Sequence, residues 1–121
     1  MSTILVVEDT MTQAEIITGS LRNAGFTTVL AANGEEARSK ISLQKPSAIV
    51  LDVVLPNESG FELCRALKDN AETKDIPIVL CSTKAGEMDK FWGMKQGASA
   101  YLTKPLDPSE LIRTVKLLVK D

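Results

Sequence analysis

The sequence predicts an α/β domain built on a doubly wound parallel sheet, and three observations carry that expectation. Short apolar runs recur along the chain, at residues 3–7, 48–51 and 78–81, as strands covered on both faces do. Single stretches of helical period separate these runs, so strand and helix alternate, which implies βαβ crossovers with helices on both faces of the sheet. Polar residues able to do chemistry follow directly: Glu8-Asp9, Asp52 and Ser82-Thr83 after these runs, and Lys104-Pro105 after Ala100-Tyr101-Leu102-Thr103. They fall at the strand ends where parallel sheets bind their ligands.

Residues 3–7 (β1) are short, apolar and rich in Val and Ile, the pattern of a fully buried strand. A helix (α1) is expected from Thr10 to Ala24, with Ile16, Ile17, Leu21 and Ala24 as its apolar stripe and Gly25 after its end. Thr10 with Gln13 offers it a capping box. Phe26 to Ala31 is the second strand (β2), and Asn33-Gly34 then turns into a helix (α2) carrying Ala37, Ile41 and Leu43. Lys45-Pro46 leads to the third strand (β3), residues 48–51, and loop 52–60 leads to a helix (α3) with Phe61, Leu63, Cys64 and Leu67. A polar exit over residues 69–75 precedes Ile76-Pro77 and the fourth strand (β4), residues 78–81. Met88, Phe91, Trp92 and Met94 fall on the next helix (α4), which Gly97 ends, and Ala100 to Thr103 is the fifth strand (β5). A last helix (α5) starts at Pro108, a favoured first-turn position for proline, and carries Leu111, Ile112, Val115, Leu118 and Val119.

The 121 residues suit one compact domain, spanning 1–121, with no output segment after α5 and no linker or repeat within. Five strands and five helices in this length fit a flavodoxin-like sheet of order 2-1-3-4-5, with a ligand crevice at the β1/β3 switch point. Asp9 follows β1 and Asp52 follows β3, so two carboxylates 43 positions apart are expected to face each other across that crevice.

Composition removes several function classes. A formal charge of −2 gives no general attraction to nucleic acid or anionic membrane. The absence of histidine rules out His-based acid–base catalysis and His-ligated zinc, leaving oxygen ligands as the metal chemistry to expect. Cys64 and Cys81 read as reduced core thiols rather than a redox pair. The start, Met1-Ser2-Thr3-Ile4, has no basic leader, and no apolar stretch approaches the ~18–20 residues that span a bilayer. A cytoplasmic protein without membrane insertion is expected.

Glu8-Asp9, Asp52, Leu55-Pro56 with Gly60, Ser82, Tyr101 and Lys104-Pro105 occur in that order, with 30 residues from Asp52 to Ser82 and 22 from Ser82 to Lys104. Over essentially its whole length the chain resembles the receiver domain of bacterial two-component response regulators, the family typified by the chemotaxis regulator. The resemblance implies Asp52 as phosphoacceptor, a sensor histidine kinase as donor, the backbone carbonyl of Val54 as a metal ligand, and a cis Lys104-Pro105 bond. It also implies a switch pair, in which Ser82 moves toward the phosphoryl group and Tyr101 fills the space it leaves. The output face would then be α4–β5–α5, including Lys84, Trp92, Gln96 and Tyr101, and a downstream protein would dock there.

Elementary physics reaches much of the same place. Carboxylates converging in one crevice repel by roughly 4 kcal/mol per pair at ~4 Å and an effective dielectric near 20. A divalent cation removes that repulsion, and an all-oxygen site with room for waters suits Mg²⁺. Asp9 and Asp52 are the expected direct side-chain ligands, with Glu8 acting through water. Asp52 can then attack phosphorus, Lys104 supplies a fixed positive charge to the phosphoryl oxygens, and the Ser82 hydroxyl donates to another.

Plainer readings stand beside these. Glu8-Asp9 could cap α1, Ser82 or Thr83 could cap α4, Lys104 could be a solvated lysine, and Tyr101 could be half-buried packing with a polar tip. Two positions depart from the commonest family pattern. Ser82 stands where threonine is more usual, and Val54, two residues after Asp52, cannot orient an attacking water. Lys84 borders the same path, so slow intrinsic dephosphorylation is expected. The segment around Asp89-Lys90-Phe91-Trp92-Gly93-Met94 resembles single-domain regulators linked to type IV pili and twitching motility, although Trp92 also reads as an aromatic packing near the core.

A phosphoacceptor switch rather than a true enzyme is the leading function, in motility or taxis signalling. A phosphorelay intermediate that passes the group to a histidine phosphotransfer protein is the alternative. A haloacid-dehalogenase-type phosphatase is disfavoured, because it needs an acid where Val54 stands. A flavin carrier is disfavoured because Glu8-Asp9 would repel the flavin phosphate.

Overall fold

In a computed structural model that describes residues 2–119, the chain runs β1 Thr3–Val7, α1 Met11–Asn23, β2 Thr27–Ala31, α2 Gly34–Leu43, β3 Ala48–Asp52, α3 Gly60–Asp69, β4 Ile78–Ser82, α4 Glu87–Lys95, β5 Ala100–Thr103 and α5 Pro108–Leu118. Met1, Lys120 and Asp121, the ends of the expected 1–121 domain, lie outside the described residues. All strand pairs are parallel and the sheet order is β2-β1-β3-β4-β5, as the sequence predicts.

Alternation along each strand divides the core in two. Leu5, Val7, Ile49, Leu51, Ile78 and Leu80 face one side with Ala37 and Ile41 of α2 and Leu63, Cys64 and Leu67 of α3. Ile4, Val6, Ala48, Val50, Val79 and Cys81 face the other with Ile17 and Leu21 of α1 and Leu111 and Val115 of α5. Strands β1, β3 and β4 are thus covered on both faces, which is why they are continuous apolar runs rather than alternating ones. Cys64 and Cys81 lie on opposite sides of the sheet, which excludes a bond between them. Burial pushes their thiols up to about 11 and about 12 respectively, so both are protonated core groups.

Three local expectations change. The buried stripe of α1 is Ala14, Ile17, Thr18 and Leu21, spaced by three, one and three residues on one helix face, and Ile16 points to solvent at 56% exposure. Thr18 is tolerated inside because its hydroxyl donates to the Ala14 carbonyl at 2.9 Å. Leu43 ends α2 at 82% exposure instead of joining its core face. Thr10 makes no side-chain cap, and its amide donates instead to Glu8 Oε2 at 3.2 Å. A capping box forms instead at α3, between Ser59 and Glu62.

Gly60 starts α3 directly on the end of β3. Its amide donates to the Val53 carbonyl at 2.7 Å, and a Cβ there would meet the Asp52 carbonyl oxygen and come within 2.7 Å of the Val53 Cα. Loop 53–59 folds back tightly enough for this, with Asn57 at φ +70, only because position 60 carries no side chain. Gly60→Ala should therefore lower stability by about 1–3 kcal/mol, as overpacking against immobile backbone does. A fall in the urea midpoint at unchanged slope would register it, and an unchanged midpoint would show that the loop relaxes freely.

Candidate functional site

Four strand ends meet at one edge of the sheet. Glu8 and Asp9 follow β1, Asp52 is the last residue of β3, Ser82 is the last of β4, and Lys104 follows β5. Asp52 is in register with Cys81, and Ser82 with Thr103. The Lys104 amide donates to the Ser82 carbonyl at 2.8 Å, which ties the two chain segments together just beyond their strands. The Lys104-Pro105 bond is cis.

The Lys104 side chain crosses this edge to the acids. Its Nζ lies 2.9 Å from Glu8 Oε1 and 3.2 Å from Asp52 Oδ1. Glu8 is 2% exposed and Asp52 8% exposed, and such buried carboxylates need partners. Both Glu8 oxygens have one: Lys104 at Oε1 and the Thr10 amide at Oε2. Asp52 Oδ1 also accepts from the Val54 amide at 3.4 Å. Asp9 is exposed.

Glu8, Asp9 and Asp52 each present an oxygen within 4.8 Å of the other two. Three carboxylates and one ammonium leave the cluster with formal charge −2. The donor set is all oxygen and hard, and one of its three acids, Asp9, is exposed to solvent, so it fits a divalent cation that keeps part of its water. Among the expected side-chain ligands, Asp9 and Asp52 have free lone pairs for a cation, whereas both Glu8 oxygens are already engaged.

The remaining site residues take defined places. Ser82 is buried, and its Oγ accepts from the Lys84 amide at 3.1 Å. The Tyr101 hydroxyl donates to the Lys84 carbonyl at 2.9 Å. The two expected switch residues therefore hold the two ends of Lys84's backbone, a connection that no sequence pattern announces. Val54 is exposed beside Asp52. With Phe61, Ser82, Met88 and Trp92 it lines a groove between loop 53–59 and α4. Trp92 stands exposed on that wall rather than in the core.

One pairing near the site was not legible. Arg38 of α2 holds Glu58 in a two-point contact, 2.8 Å at each oxygen, and so pins the loop that leaves Asp52. The partners are 20 residues apart on different elements, beyond the reach of any helical spacing rule.

The cluster's electrostatics have a definite sign. Burial first, and the charge of Glu8 second, hold the Asp52 carboxyl above the ordinary range, and Lys104 and the Val54 amide offset only part of this. Burial disfavours the Lys104 charge, but its bond to Glu8 and the fields of Asp52 and Glu8 outweigh that and raise its pKa above an ordinary lysine's. An acid raised in the native state binds its proton more tightly there than in the unfolded chain. Its contribution to stability is therefore full below the ordinary carboxylate range and is lost as pH rises through the native value. In chelator at neutral pH, Asp52→Asn should accordingly melt at a higher temperature than the native protein, and the advantage should vanish below about pH 4. A variant that melts lower at neutral pH would mean that pairing with Lys104 outweighs burial.

Comparison with known proteins agrees with this edge. The family model of the response regulator receiver domain matches residues 4–116. Protein PilH of Pseudomonas aeruginosa is 37% identical over 119 residues, covering 98% of each chain. Several transcriptional and DNA-binding regulators also match, and the chain spans 48% to 52% of their length. The chemotaxis protein CheY4 of Vibrio cholerae superposes with a TM-score of 0.91 at 29% identity, over 98% of this chain and 99% of that one. The receiver domain of the sensor histidine kinase PA1611 from Pseudomonas aeruginosa, solved with a magnesium ion coordinated in its active-site cleft, superposes at 0.87 with 28% identity, over 97% and 96%. The buried acid–lysine cluster thus sits on a fold and a sequence that match this family from β1 to α5, and the chain belongs to the response regulator receiver domains.

Proposed function

We propose that this protein is a stand-alone phosphoacceptor switch, taking a phosphoryl group from a sensor histidine kinase onto Asp52 and signalling through the α4–β5–α5 face. The observation that carries the reading is the Lys104 ammonium at 3.2 Å from Asp52, inside a cluster of three carboxylates at the sheet's ligand-binding edge. Stand-alone action is supported by the match to PilH over 98% of both chains. That match, with the resemblance around Trp92, also supports a role in pilus-linked motility.

The residues divide the work. Asp52 Oδ1 is occupied by Lys104 and the Val54 amide, which leaves Oδ2 to attack phosphorus. The new P–O bond forms as the P–N bond of the donor phosphohistidine breaks, and the electron pair returns to the imidazole. Lys104 is positioned to follow the charge onto a phosphoryl oxygen, and the Ser82 hydroxyl to donate to another once it turns from the Lys84 amide. Asp9, Asp52 and the Val54 carbonyl would hold Mg²⁺, with Glu8 reached through water because both its oxygens are engaged. When bound, the ion supplies charge neutralisation between the acceptor carboxylate and the incoming phosphoryl group. Catalysis extends only to the protein's own phosphorylation and dephosphorylation.

Helix α4 suits an output role, since Met88, Phe91, Trp92 and Met94 are all exposed on it. Four exposed apolar side chains on one short helix support a docking role for it. Among the described residues no helix is long and apolar enough to cross a membrane.

Intact mass after incubation with acetyl phosphate and Mg²⁺ tests the central reading. One phosphoryl adduct should form, and it should be absent both from Asp52→Asn and in chelator. An adduct that survives Asp52→Asn would place the acceptor elsewhere. The lifetime of that adduct is a separate matter. Val54 offers only an exposed aliphatic surface where water would approach, so the phosphoryl group should persist well beyond seconds at neutral pH. Decay within seconds would overturn the assignment of a slow switch.

A further inference from the structure

Helix α4 meets the sheet through a glycine. Gly93 is the one residue of α4 buried among the described residues. It lies over Leu80 and Tyr101, which are paired neighbours on β4 and β5. A Cβ at position 93 would stand 2.7 Å from Cδ2 and 3.1 Å from Cε2 of the Tyr101 ring, and 3.3 Å from Leu80 Cδ1. The Tyr101 atoms belong to a rigid ring that cannot bend aside as a lysine or glutamate tip can. Glycine inside a helix also costs about 1 kcal/mol relative to alanine, so the helix carries a penalty at a point where it lies against the ring.

We propose that Gly93 is the positioning residue for Tyr101. By leaving its side-chain space to the ring, it lets the hydroxyl reach the Lys84 carbonyl at 2.9 Å. The Lys84 amide in turn donates to Ser82 Oγ at 3.1 Å. The seat of the ring on α4 is thereby joined through one residue's backbone to the hydroxyl at the acidic edge. The packing stands on geometry alone, whereas its meaning for signalling rests on the phosphoacceptor reading above. An added methyl group at position 93 turns the ring away from α4 and breaks its bond to the Lys84 carbonyl without any phosphorylation.

The sequence has one tyrosine, so fluorotyrosine labelling gives a single fluorine-19 resonance from Tyr101. In unphosphorylated, metal-free Gly93→Ala this resonance should move toward its position in the denatured chain. An unmoved resonance in a folded variant would overturn the proposal, because α4 would then have lifted and left the ring in place. A stability cycle gives the second reading. In the Tyr101→Ala background, Gly93→Ala should strengthen folding by about fivefold through helix propensity, whereas with Tyr101 present it should weaken folding or leave it unchanged. Equal effects in both backgrounds would overturn the coupling, as would a Gly93→Ala variant that fails to fold and is not rescued by Tyr101→Ala. These readouts need no phosphoryl transfer, so their failure is distinct from failure of the acetyl phosphate experiment.

Discussion

Lys104 stands between two buried carboxylates, and the arrangement of the sheet edge depends on how that ammonium is held. Glu8 and Asp52 are almost fully covered, and two ionised acids in such a place repel unless a cation lies between them. The main chain fixes where the cation stands: the Lys104 amide is tied to the Ser82 carbonyl, and the side chain then reaches both acids. Glu8 is held from its other side by the Thr10 amide at the start of α1. Asp52 has less support, because Val54 and Lys104 share one of its oxygens. The contrast gives the two acids different characters. Glu8 has a partner at each oxygen, and Asp52 keeps an unengaged oxygen and a carboxyl held above its ordinary range. Buried charge that is incompletely satisfied is where reactivity concentrates.

The sheet delivers these groups without a dedicated scaffold. In a parallel sheet every strand ends at the same edge, so residues far apart in sequence converge once the strand order is set. Placing β1 and β3 side by side is what brings Glu8 and Asp9 to Asp52. Placing β4 and β5 beyond β3 brings Ser82 and Lys104. Gly60 then fixes how the chain leaves β3, because α3 begins against the backbone of Asp52 itself.

This logic explains which features were legible in the sequence. Buried central strands are apolar runs, and their ends can be read to within one residue. The convergence of Glu8, Asp9, Asp52, Ser82 and Lys104 at one edge follows from those ends and is legible in the sequence. Helix faces are less legible, since Ile16 is as apolar as Ile17 and only the sheet decides which one is covered. Leu43 failed for the same reason at the last turn of α2. The Arg38–Glu58 pair and the junction at Lys84 were invisible, because they join elements with no common period and, at Lys84, use backbone groups that every residue possesses.

Helix α4 differs from the other helices in what holds it. It is nine residues long, shorter than the ~12–15 at which even good helix formers become stable alone, so tertiary contact must supply the rest. Yet it buries only Gly93 among the described residues, and it turns Met88, Phe91, Trp92 and Met94 outward. At its start Asp89 accepts from the Gly86 amide at 3.3 Å, and at its end Gln96 returns a side-chain bond to the Trp92 carbonyl at 3.2 Å. Gln96 also accepts from Arg65 Nη1 at 3.4 Å and from the Cys64 thiol at 3.5 Å, so α3 holds the end of α4, while the ring of Tyr101 and the side chain of Leu80 lie under Gly93. The Lys84 backbone that precedes the helix bonds to Ser82 at the acidic edge. Under the proposed switch, movement of that hydroxyl would act on the helix that carries Met88, Phe91, Trp92 and Met94 on its exposed surface.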